Sequence, residues 1–283
     1  MRIDGLLTAG FTRSFEFFPP KNDDESATLR STLRDLEPLT PSFVSVTYRG
    51  GVESRQRTFD LVTAIEREDR LTAMAHLICV GHSRSQMRDM LERYRDAGVE
   101  NVMALGGDVP DDPALIDSEF SHASDLVNLV REVGGFSIGV AAHPAGHPRS
   151  PDLASDRRFL AAKLRDADFA VTQFFFGVDE WIRLVVELAE LGVEKPVLPG
   201  VMPVTTLSGA ARMAQMGAAV PDELMTRLEA AGESGGPAAV RAAGIAAAIE
   251  LCQNLMEAGA PGLHFYTLNR STATTEIHRA LFG

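Results

Sequence analysis

The chain reads as a (β/α)8 barrel with a helical insertion between its seventh and eighth strands, and three observations predict it. Eight short apolar runs recur along the 283 residues. An amphipathic stretch with helical spacing follows almost every run. The first run leads into Phe17-Phe18-Pro19-Pro20, whereas a doubly wound open sheet would want a glycine-rich dinucleotide loop there.

The first run, Ser14–Phe18, is followed by Glu25–Leu36, where Leu29, Leu33 and Leu36 share one helical face. Phe43–Tyr48 precedes a helix over Arg57–Glu66, and Ala73–Val80 precedes one over Ser85–Ala97. Asn101–Leu105, Ser137–Ala142 and Phe169–Phe176 precede helices over Ser124–Val133, Asp156–Arg165 and Asp179–Leu191. Pro196–Met202 precedes a helix over Thr206–Met216, and Gly262–Leu268 precedes the last, Ser271–Leu281. The runs are nearly continuous in apolar residues, as parallel strands buried on both faces require. Ala97-Gly98 and Leu191-Gly192 read as helix stops just before a strand. The insertion covers roughly Pro221 to Ala258 and contains the glycine-rich turn Gly232–Gly236. One barrel domain is expected over residues 1–283.

Composition narrows the function. A net charge of −12 argues against nucleic acid and anionic membrane as partners, while leaving room for an anionic small molecule held by a few local cations. No apolar run reaches the ~18 to 20 residues of a membrane span. The start, Met1 to Phe18, lacks a basic segment followed by an apolar one and a cleavage site, so a cytoplasmic protein is expected. Cys79 and Cys252 lie in apolar segments without metal-site spacing and read as reduced, buried thiols.

A barrel enzyme carries its chemistry at the C-terminal ends of its strands. Those ends hold Glu16; Thr47 and Tyr48; His76; Asp108; His143 and His147; Gln173; Met202-Pro203; and Tyr266, Asn269 and Arg270. Glu16 stands between Phe15 and Phe17, so it faces inward if they face the helices. Apolar surroundings would raise its pKa and suit it to general-acid work, the competing reading being a buried Glu satisfied by an Arg. Asp108 ends Gly106-Gly107-Asp108, which either contacts a nitrogen-rich heterocycle or makes an ordinary turn. His76, His143 and His147 lack a zinc pattern, and His143-Pro144 and His147-Pro148 are expected to shape a ligand loop. Gln173 beside Phe174, Phe175 and Phe176 suits a flat ring with polar edges, such as a pterin or nicotinamide, or is a stray polar residue in a core strand.

Together the runs SFEFFPPK (Ser14–Lys21), FVSVTY (Phe43–Tyr48), AHLIC (Ala75–Cys79), GGDVP (Gly106–Pro110), VTQFFF (Val171–Phe176), PGVMPV (Pro199–Val204) and HFYTLNR (His264–Arg270) resemble the methylenetetrahydrofolate reductase family. The resemblance spans nearly the whole chain. It implies a (β/α)8 barrel that reduces 5,10-methylenetetrahydrofolate to 5-methyltetrahydrofolate, with NADH or NADPH as donor and usually FAD as carrier. By resemblance Glu16 is the general acid and Asp108 lies near flavin and pterin. Gln173, Tyr266 and Arg270 fall on substrate-binding positions, and Thr47 and Tyr48 on a segment touching nicotinamide and flavin. His76, His143, His147, Asp156 and Lys163 fall on cofactor-associated positions.

The departures from the family pattern concern the flavin. The Arg of its Arg-Gly-Asp loop is Gly106 here, its Tyr-Pro is His143-Pro144, and its Asp-Ala-Gly-Ala is shortened to Asp166-Ala167. Phe159 and Ala162 stand where polar and basic residues hold the FAD phosphates and sugar. Loss of charge-assisted hydrogen bonds of roughly 1.5 to 3 kcal/mol each leads to the expectation that FAD is absent and that hydride passes directly from the nicotinamide. The alternatives are a conventional FAD-dependent reductase, a non-catalytic folate-binding protein and another flavin-bearing barrel oxidoreductase.

Overall fold

A computed structural model describes residues 1–48, 52–67, 71–107, 119–215 and 217–283, with the side chains of residues 52–54 excepted. Eight parallel strands close into a barrel in chain order. They are β1 (Thr12–Phe17), β2 (Phe43–Val46), β3 (Ala73–Ile78), β4 (Asn101–Leu105), β5 (Ser137–Ala142), β6 (Phe169–Phe174), β7 (Val197–Val201) and β8 (Gly262–Tyr266). The ring shuts where β1 pairs with β8, Glu16 lying level with Tyr266.

The helices are α1 (Ile3–Ala9), α2 (Asp23–Leu36), α3 (Val52–Arg67), α4 (Arg84–Asp96), α5 (Ala123–Val133), α6 (Leu153–Asp166), α7 (Val178–Glu190), α8 (Leu207–Gln215), α9 (Asp222–Glu257) and α10 (Thr272–Phe282). Local chemistry sets their starts. The Asn22 side chain accepts from Glu25 N on α2, Asp152 from Ser155 N on α6, and Ser83 and Gln86 form a reciprocal capping box on α4. Gly98 and Gly192 follow the ends of α4 and α7 as predicted. The insertion is α9, broken internally at Gly236 (φ 65°) before Pro237, which lacks the N–H a continuous helix needs. Its second half presses on the segment after β7, where a Cβ on Gly244 would lie 1.7 Å from Val204 O.

Two-residue alternation divides the apolar side chains. Phe15 and Phe17 point outward into a layer shared with Leu29, Leu33 and Ile277. A separate cluster of Phe43, Met74, Met103, Phe169, Val171 and Leu198 takes in Ile3 and Leu7 of α1. Helix α1 therefore plugs the N-terminal face. Its first amides are capped by the barrel itself: Ile3 N donates to Asn101 Oδ1 (2.8 Å) and Asp4 N to Ser137 Oγ (3.0 Å). Sequence periodicity did not predict α1, because seven residues including Gly5 are too few to display a helical face.

The strands also stop earlier than predicted. Thr47-Tyr48, Cys79-Val80, Phe175-Phe176 and Thr267-Leu268 lie beyond the last paired residues, at the C-terminal mouth. The β6–β7 register shifts between Val171 and Phe174, which re-aims the residues around Gln173.

Candidate active site

Glu16 is 8% exposed and is surrounded by polar groups. Its Oε2 lies 3.4 Å from Ser45 Oγ, 3.4 Å from His264 Nε2 and 3.5 Å from His76 Nε2. The apolar pocket suggested by the flanking phenylalanines is thus not where the carboxyl resides, since those rings turn outward and their inward neighbours are polar. His264 is fully buried, and its Nδ1 lies 2.8 Å from Ser14 Oγ. Ser14 and Glu16 on β1, Ser45 on β2, His76 on β3 and His264 on β8 therefore line adjoining levels of the barrel interior. Burial keeps the His76 imidazole below its ordinary pKa, although Glu16 acts in the other direction. The shift favours the uncharged imidazole over a charged partner for Glu16.

On β8, the Tyr266 hydroxyl donates to Thr172 O (2.6 Å), and burial pushes its phenol well above the ordinary range. A Cβ on Gly200 would lie 2.5 Å from that ring, so glycine is what allows Tyr266 to lie against β7. Beyond the strand, Thr267 Oγ1 donates to Glu16 O (2.6 Å), and the Asn269 side chain bonds both backbone groups of Phe18. Arg270 is exposed at the rim.

Just beyond β2, Thr47 Oγ1 is buried without a hydrogen-bond partner, and on β3 His76 Nε2 makes no hydrogen bond closer than its 3.5 Å approach to Glu16. Unpaired buried polar atoms are rare and need a reason. Tyr48 OH lies 3.4 Å from His82 Nε2, and burial raises the phenol's pKa.

Beyond β5, the Asp156 carboxylate accepts from His147 N (3.0 Å), Ser150 Oγ (3.1 Å) and Arg157 Nη1 (2.8 Å). Arg157 is 3% exposed and also holds His143 O, Pro144 O and Glu187. Lys163 Nζ donates to Ala141 O (3.0 Å), and burial lowers its pKa to about 8. His143 packs edge-on against His147 with ring centres 4.7 Å apart; burial, then His147 and Lys163, bring its pKa to about 4. The outer face of α6 presents Phe159, 62% exposed, and Ala162.

Gln173 Oε1 accepts from Phe174 N (3.0 Å), and its Nε2 faces the turn at Gly217. Asp108 lies outside the described residues. Cys79 and Cys252 are buried and form no disulfide, and burial pushes their thiols up to about 11 and 12, which disfavours the nucleophilic thiolate. Among the described residues no helix is long and apolar enough to cross a membrane. Sequence reasoning missed Ser14, Ser45 and His264. The signal for His264 was present: β8 alternates, and the residue two before Tyr266 must share its face.

A closed barrel with an inward carboxyl and two imidazoles at its mouth defines a (β/α)8 enzyme. The comparisons narrow that class. The family model for methylenetetrahydrofolate reductase matches residues 3–281. A 5,10-methylenetetrahydrofolate reductase from Pectobacterium carotovorum is 35% identical over 270 residues, covering 95% of this chain and 89% of that protein. The Escherichia coli enzyme of the same name is 33% identical, covering 95% and 90%. Methylenetetrahydrofolate reductase (NADH) 1 of Arabidopsis thaliana is 34% identical, covering 95% of this chain and 48% of that longer protein. In fold, the chain is similar to an uncharacterized Clostridium thermocellum protein that binds two copies of 5-methyl-5,6,7,8-tetrahydrofolic acid, with a TM-score of 0.71 at 11% identity and coverage of 99% and 97%. The chain belongs to the methylenetetrahydrofolate reductase family and is an oxidoreductase.

Proposed function

We propose that this chain reduces 5,10-methylenetetrahydrofolate to 5-methyltetrahydrofolate at the expense of NADH or NADPH, with Glu16 as general acid. The observation that carries this reading is the Glu16 carboxyl, held at the barrel mouth by Ser45, His76 and His264. The substrate's one-carbon bridge joins N5 and N10. A proton from Glu16 to N10 breaks the N10–carbon bond and leaves an iminium at N5. A hydride from C4 of the reduced nicotinamide then completes the methyl group, and the nicotinamide leaves oxidised. His264, bonded to Ser14, and Ser45 fix the carboxyl's orientation towards the mouth.

The hydride route turns on the β5–α6 region. FAD carries a pyrophosphate, which needs converging donors. Among the described residues there, Arg157 is consumed by loop carbonyls and carboxylates, Asp156 by its own loop, and Lys163 by Ala141 O. Arg149 Nη2 donates to Gly107 O (3.1 Å), exposed Arg158 donates to Ser155 Oγ (2.8 Å), and the outward face beside it offers Phe159 and Ala162. This set fits a dinucleotide pyrophosphate poorly and favours direct transfer, with the unpaired Thr47 hydroxyl available to a nicotinamide carboxamide. The second reading is reduction through FAD. Family membership favours it, as does the retention of His76, His147, Asp156 and Lys163.

One experiment separates the two. The protein as purified is denatured and the released material scanned for a flavin spectrum; stoichiometric flavin sinks direct transfer. Turnover with nicotinamide deuterated at the transferring C4 position then places deuterium in the product methyl if transfer is direct, whereas a carrier that exchanges its hydrogen with water loses the label.

A further inference from the structure

The β1–β8 ladder stops at the pair Glu16–Tyr266, yet contact between the two chain segments continues through side chains. Asn269 Oδ1 accepts from Phe18 N (2.8 Å), and Asn269 Nδ2 donates to Phe18 O (2.9 Å). Its amide thus replaces a backbone peptide and extends the ladder to the rim. Asn269 N donates to Thr267 Oγ1 (3.1 Å), and that hydroxyl donates to the carbonyl of Glu16 itself (2.6 Å). The turn that permits this is strained: Leu268 (φ 51°) and Asn269 (φ 58°) are both left-handed, and Leu268 is 46% exposed. Asn tolerates that conformation, whereas a leucine there is disfavoured because its Cβ crowds the following carbonyl. Strain of this kind persists where surrounding bonds over-determine it, and here they do.

We propose that Asn269 is a positioning residue for the folate reaction: its amide clamps the Leu268–Arg270 turn to the end of β1, so that the acid Glu16 and the folate-facing rim are held in one fixed relation. This inference rests on the proposed reduction of methylenetetrahydrofolate. Thr47 and Tyr48, which by resemblance meet the nicotinamide, take no part in the Asn269 bonds, so the clamp is expected to act on the folate more than on the nicotinamide.

The test uses Asn269→Asp, Asn269→Gly and Thr32→Val in the full chain. Asp keeps the acceptor for Phe18 N but sets an oxygen against Phe18 O; Gly keeps the left-handed turn and removes both bonds. Thr32→Val removes a different tie to the same turn, Thr32 Oγ1 to Asn269 O (3.0 Å), without touching β1. One bond replaced by opposed oxygens in Asn269→Asp, and two bonds lost in Asn269→Gly, predict a fall of about tenfold or more in kcat/KM for methylenetetrahydrofolate in each variant. The KM for NADH stays within about twofold, and Thr32→Val keeps wild-type kinetics. A protonated Asp donates again to Phe18 O, so the ratio of Asn269→Asp to wild type rises as pH falls, while that of Asn269→Gly stays flat. Parallel losses for both substrates, equal losses in Thr32→Val, or a pH-independent Asp ratio would overturn the clamp. If Asn269→Gly does not fold, the pH dependence of Asn269→Asp decides alone. If the wild type does not reduce the folate, the functional reading fails by itself, and the clamp is judged by 5-methyltetrahydrofolate binding: a dissociation constant about tenfold higher in Asn269→Asp supports it, and an unchanged one removes it.

Discussion

Glu16→Gln preserves the shape of the carboxyl but cannot deliver a proton, so kcat for methylenetetrahydrofolate should fall by about 10²- to 10⁴-fold. Folate binding, followed by fluorescence, should change little; unchanged turnover would remove Glu16 from the acid's role. His143 gives a prediction in pH. Its folded pKa is about 4, against an ordinary value near 6.5, so between those values the unfolded chain holds more protons. Stability therefore rises with pH across that window and is lost on acidification. His143→Gln should flatten the pH dependence of urea unfolding between about 4 and 6.5 and leave stability at pH 7.5 to 8 much less affected. At this scale Glu16, His76 and Tyr266 were legible because each is an inward polar residue at a predicted strand end. Ser45 and His264 were not singled out, because a serine and a histidine inside apolar strands look like ordinary core polarity until three strands bring them to one carboxyl oxygen.

The β5–α6 element shows how a residue's job depends on what it packs against. Asp156 stands at a cofactor-associated position by resemblance, yet its oxygens organise the loop of residues 143–150 together with Arg157. Arg157, which the sequence did not single out, holds that loop through two carbonyls. Arg157→Met leaves a buried carboxylate without its partner and should destabilise the fold by about 3 to 5 kcal/mol. Urea unfolding reads this directly, and limited proteolysis should show earlier cleavage within residues 143–150. A loss under about 1 kcal/mol would mean that the pair is dispensable. The exposed Phe159 could be read as a departure from the family in sequence, but the committed state of its neighbouring donors could only be read in three dimensions.

For the whole molecule, the barrel has a mouth lined by polar residues at its C-terminal end and a sealed floor at the other. Helix α1 makes the floor, with Ile3 fully buried in the interior cluster and Asn101 bonded to Ile3 N and Met1 O. Ile3→Ala opens a cavity in that cluster and should cost about 2 to 5 kcal/mol in urea unfolding, with kcat changed little because the mouth lies at the opposite end. A fall in kcat/KM without loss of stability would show that floor and mouth are coupled. By itself the sequence determined the strand–helix alternation, the closed barrel and the inward direction of Glu16, because burial on two faces and a period of two residues are local properties written along the chain. Only the tertiary structure decided which polar groups meet at that carboxyl, that α1 closes the floor, and that Asn269 ties the last strand to the first. Those contacts join residues up to about 250 positions apart in the chain. Their geometry follows from the closure and register of the barrel, which no local pattern contains.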